Sequence, residues 1–70
     1  MKIYGYESED GDLISLSEIT LQLSLDEVND LILFLEKTAK SMRKHGDKFG
    51  HEHLNDFFDR TGMPDIIITK

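Results

Sequence analysis

Residues 24–46, S-L-D-E-V-N-D-L-I-L-F-L-E-K-T-A-K-S-M-R-K-H-G, decide the fold. They open on S-L-D-E, a capping box in which the Ser24 hydroxyl accepts from the Glu27 amide and the Glu27 carboxylate accepts from the Ser24 amide. Asp26 and Glu27 lie in the first turn, where the helix dipole favours anions. Lys40, Arg43 and Lys44 lie near the far end, and Gly46 fits just past it. At about 100° per residue Val28, Leu31, Ile32, Leu35, Ala39 and Met42 fall on one stripe, so the spacing predicts an amphipathic helix with that stripe in the core. Leu33 lies ~140° from the centre of the stripe and Phe34 ~120° to the other side. Phe34 is expected to widen the buried face; Leu33 is harder to bury in the same layer.

On the N-terminal side, residues 1–7 (M-K-I-Y-G-Y-E) are β-prone, with Lys2, Tyr4 and Tyr6 on one face and Ile3 and Gly5 on the other. Residues 8–12 follow, and their Asp-Gly step is a strong hairpin signal. Residues 13–23 (L-I-S-L-S-E-I-T-L-Q-L) alternate, but the phase slips between Ile14 and Leu16 and the set Ile19, Leu21 and Leu23. A bulge near Ser17 and Glu18 would return both sets to one face. The reading is an antiparallel hairpin.

On the C-terminal side, residues 47–50 read as a loop and residues 51–60 (H-E-H-L-N-D-F-F-D-R) as a short helix carrying Leu54, Phe57 and Phe58. Gly62-Met63-Pro64 breaks it, and residues 65–69 (D-I-I-I-T) read as a strand. Three consecutive isoleucines suggest a strand covered on both faces, or one face covered by another chain. The whole is one α+β domain over residues 1–70. It comprises an antiparallel sheet of about three strands in β-β-α-β order, with one main helix on one face.

The 70 residues carry 8 Lys+Arg against 14 Asp+Glu, a formal net charge of −6, and no cysteine. The acid excess argues against nucleic acid or an anionic membrane as partner, since both need clustered bases. No apolar run approaches the ~20 residues of a membrane span, and no basic region followed by an apolar stretch opens the chain, so a cytoplasmic location is expected. A chain this short buries only about 60% of its unfolded surface, and nothing here acts as a disulfide or metal staple. Burial against a second chain, a homodimer in the simplest case, is therefore expected.

Catalysis is not. A general acid–base pair needs a pocket that perturbs its carboxylates, and the core leaves little room for one. There is no cysteine, no Gly-x-Ser-x-Gly and no phosphate-cradling glycine loop, so no catalytic residue and no cofactor is assigned. His51-x-His53, with Glu52 between them, is the one constellation with metal-ligand chemistry. On an extended segment both rings point to one side; on a helix they diverge by ~200°. Without cysteine or a second histidine pair no metal site is assigned, and a His-based metal module stands only as a minor alternative to capping or bracing roles. Tyr4 and Tyr6 are candidate partner contacts, because aromatics among polar residues anchor interfaces.

The order of elements, with K-I-Y-G-Y-E, L-S-E-I-T-L, S-L-D-E-V-N-D-L-I-L-F-L, G-H-E-H-L-N-D-F and the ending P-D-I-I-I, resembles the immunity protein 32 family. These are small α+β proteins of bacterial polymorphic toxin systems. The likeness covers most of the chain in short pieces, the most specific being Gly50 to Leu54 and Pro64 to Ile66. It implies a cytoplasmic inhibitor that binds a cognate toxin and blocks it by occlusion, and it supplies no catalytic residue. His51, Glu52 and His53 match its most distinctive segment and become candidates for partner contact or for fold-specific hydrogen bonding. The alternative function is a homodimeric interaction protein with no toxin partner.

Overall fold

Ser24 caps the main helix as its sequence requires. In the computed structural model, which describes residues 1–8, 10–62 and 64–70, the Ser24 hydroxyl accepts from the Glu27 amide at 3.2 Å and the Ser24 amide donates to Glu27 Oε1 at 3.0 Å. The helix, α1, runs Leu25–His45. It stops at Gly46, whose φ of 53° suits a residue without a Cβ and whose amide donates to the Met42 carbonyl.

The remaining elements are short. β1 (Ile3–Gly5) and β2 (Ile14–Leu16) form an antiparallel hairpin in which Tyr4 faces Ser15. A 3-10 turn (Gly46–Lys48) leads to β3 (His51–His53), followed by α2 (Leu54–Phe57) and β4 (Ile67–Thr69). β3 and β4 pair antiparallel, His51 opposite Thr69 and His53 opposite Ile67. The fold is α+β, with the predicted hairpin and main helix in place. The strands divide into two two-stranded sheets, because the last strand pairs with β3 rather than with the hairpin.

Three further expectations change. Residues 51–60 are not one helix: 51–53 are extended, since β4 offers them a ladder, and α2 begins only at Leu54. Residues 13–23 are not one bulged strand. β2 ends at Leu16, and among the described residues none pairs with residues 18–23, which run without a ladder into the helix cap. The third change concerns the core. Phe34 (1% exposed) and Thr38 (3%) are the buried residues of α1, whereas Val28, Ile32 and Leu35 of the predicted stripe are exposed. The helix turns toward Phe34 because the C-terminal unit lies there. Phe57 meets the Phe34 ring at 5.8 Å between centroids, Phe49 is buried, and Arg60 reaches Asp30 at 2.6 Å while lying 4.6 Å over the Phe58 ring. That ion pair is about one-third exposed at each end and locates the end of α2 more than it stabilises it. Glu9 of the predicted hairpin turn and Met63 of the predicted breaker lie outside the described residues.

The result is an open molecule. Its accessible surface is 6221 Å², against about 4,500 Å² for a compact monomer of its mass. Its radius of gyration is 12.9 Å, where about 11 Å is usual for this length. Among the described residues no helix is long and apolar enough to cross a membrane.

Candidate functional site

The partner-contact candidates occupy two separate places. Tyr4 and Tyr6 belong to the hairpin, 49% and 58% exposed. Tyr4 stands on the face opposite Gly5 and Leu16, diagonal neighbours across the hairpin, where a Cβ on Gly5 would come within 3.0 Å of Leu16. Gly11 closes the turn, its amide donating to the Ser8 carbonyl at 3.0 Å. Among the described residues, no hydrogen bond or ring contact joins these tyrosines to the histidines of β3.

His51 and His53 share one face of β3, as an extended His-x-His must, with ring centroids 5.0 Å apart and edge-on. Glu52 points to the other face, where it lines a shallow groove with Phe34, Lys37, Lys40 and Lys44. The three predicted neighbours in sequence are therefore split: the two histidines share one face of β3, His51 exposed and His53 half-buried, and the carboxylate lies on the face toward α1.

His53 is held by a residue that the sequence reading did not single out. Its Nδ1 lies 2.7 Å from Asp65 Oδ2, so the carboxylate as acceptor places the proton on Nδ1. The other oxygen, Oδ1, accepts from the amides of Asn55 and Ile66, each at 2.9 Å. The Leu54 amide donates to the Ile66 carbonyl at 2.8 Å, closing the same corner. His53 is the N-cap of α2 but offers no side-chain acceptor to it; Asp65 performs that service from ten residues away. Partial burial works to raise the Asp65 pKa. The Asn55 amide, the His53 ring and the Ile66 amide outweigh it and hold the carboxyl below its ordinary value.

Chemically, this corner is a clamp. It ties the end of β3, the start of α2 and the approach to β4, and it occupies one nitrogen of His53. Among the described residues, no group of three or more His, Asp or Glu side chains converges as a metal site. The signal for Asp65 in the sequence was slight: an aspartate after a proline and before a β-branched run, with partners too distant to show as a local pattern. No family model, curated protein or solved structure matches the chain.

Proposed function

We propose that this chain is a protein-binding module, not an enzyme, whose hairpin arm engages a basic protein surface. One observation carries the reading: residues 1–24 hold five acidic residues and one basic, so −4 of the net −6 sits on the segment that also exposes Tyr4 and Tyr6. The helix segment 25–45 is balanced, four acidic against four basic. An acidic arm with two aromatic anchors combines electrostatic steering with contact area that loses little side-chain entropy. The acidic arm calls for a partner with a basic cleft, and the resemblance of the sequence to the immunity protein 32 family supports a toxin domain as that partner. The arm then acts in the cytoplasm by occluding that cleft, in one-to-one stoichiometry with the toxin.

The test is co-expression with a toxin encoded by the adjacent reading frame. The chain should restore growth and co-purify with the toxin domain. Tyr4→Ala with Tyr6→Ala should weaken the complex at least tenfold while leaving the circular dichroism of the chain unchanged, and added salt should slow association. Failure to rescue, or full binding by the double variant, overturns the reading. Of the two histidines, His51 is the one whose exposed ring is open to a partner, since His53 is engaged by Asp65.

A further inference from the structure

The helix α1 has two apolar faces; the fold buries one and leaves most of the other exposed, with Ala39 and Met42 half-buried. Phe34 and Thr38 look into the C-terminal unit. Leu25, Val28, Ile32, Leu35, Ala39 and Met42 recur at intervals of three, four, three, four and three residues, the spacing of a coiled-coil seam. In the isolated chain the first four are 76%, 39%, 47% and 44% exposed. We propose that this seam is a self-association surface, on which α1 packs antiparallel against α1 of a second copy of the chain.

Three observations select that occupant. The first is area. The chain exposes about 1,700 Å² beyond what a compact monomer of its mass shows, taken as the difference from 6221 Å². A standard interface takes about 800 Å² from each partner and obligate homodimers take more, so this surplus, which is spread over the whole chain including the hairpin arm, is large enough to contain a stable dimer interface. The second is charge. Asp26 and Glu27 stand in the first turn, and Arg43, Lys44 and His45 in the last. An antiparallel two-fold pair sets each acidic end beside the other copy's basic end and opposes the helix dipoles, whereas a parallel pair sets like beside like. The third is register. With the two-fold axis between residues 33 and 34, Leu25 meets Met42, Val28 meets Ala39 and Ile32 meets Leu35 of the other copy. Every layer is then filled by apolar groups, and each of the three pairings occurs twice, as an isologous interface demands.

The inference does not rest on the toxin reading. It concerns a different surface, and its test needs only the purified full chain. Light scattering or sedimentation equilibrium at micromolar concentration should return twice the 8.1 kDa chain mass; the mass of one chain overturns the proposal, including the case in which a foreign helix normally covers the seam. Ile32→Glu should raise the dimer dissociation constant about a hundredfold, because it places a charge in an apolar layer. Leu33→Glu, exposed but off the seam, should leave it unchanged. Equal effects of the two substitutions overturn the assignment of the face. Folding and pairing are linked if Ile32→Glu unfolds the chain, so orientation is read separately by cross-linking. The chain has no cysteine, and under mild oxidation Leu25→Cys with Met42→Cys should form a covalent dimer while Leu25→Cys alone should not. A covalent dimer from the single variant overturns the antiparallel arrangement.

Discussion

Asp65 is the residue on which the C-terminal unit turns. One carboxylate accepts from two amides and one imidazole, and the three donors belong to segments separated by up to twelve residues. Asp65→Ala should lower stability by about 1–2 kcal/mol, the range for losing hydrogen bonds of this kind at a partly exposed site. Asp65→Asn should lower it by less, because an amide oxygen still accepts from Asn55 and Ile66. The pH dependence has a definite sign. A carboxyl held below its ordinary value in the folded chain contributes its full stabilisation above the unfolded aspartate pKa, and loses it as pH falls through the folded one. Urea midpoints of the natural chain should therefore decline on acidification below about pH 4, and those of Asp65→Asn should decline less. An identical slope for the two proteins would remove Asp65 from this role. The histidine pair shows why such a clamp escapes sequence reading. His51-x-His53 was visible as two alternatives, helical or extended, and the deciding neighbour was the β4 ladder, which no local pattern announces.

At the scale of elements, α1 was legible almost to the residue. Its determinants, Ser24, Glu27 and Gly46, act within a single turn of their own positions, so spacing alone locates them. Ser24→Ala should cost about 1 kcal/mol, read as a fall of roughly 4–8 °C in the thermal midpoint of a domain this size. The Ser24 amide and hydroxyl hold the Glu27 carboxyl below its ordinary value, the electrostatic mark of the same box. What periodicity did not reveal was which part of the apolar arc the fold would cover. Val28, Ile32 and Leu35 outnumber Phe34, but the aromatic ring of Phe57 and the carboxylate–guanidinium link from Asp30 to Arg60 lie on the Phe34 side. The arc is a property of the helix; the choice within it belongs to segments twenty or more residues away. The C-terminal strand shows the same limit. Its β-branched run identified it as a strand, while its partner, β3, was read as helix.

For the whole molecule, the apolar core is small: among the described residues Phe34 and Phe49 are the buried hydrophobic side chains. Phe34→Ala should remove about 3–5 kcal/mol, against a total near 3.5–10 kcal/mol for 70 residues. Far-UV circular dichroism at 37 °C should therefore show most of the helix lost; a variant that stays folded with an unchanged urea midpoint would place the stabilising core elsewhere. Size alone led to the expectation of a chain that completes itself against another, and the proposed dimer would have to reduce the 6221 Å² that the isolated chain exposes. The hairpin arm adds a kinetic side to this. It reaches the helix through residues 18–23, which make no ladder with any described residue, and a two-stranded ribbon by itself is barely stable in water. The ring that meets Phe34 and the ion pair from Asp30 both come from the C-terminal unit, so the arm is expected to melt and re-form while the rest of the chain stays folded. A partner that grips Tyr4 and Tyr6 must therefore also freeze the ribbon, and its measured affinity will fall short of what the contact area alone suggests.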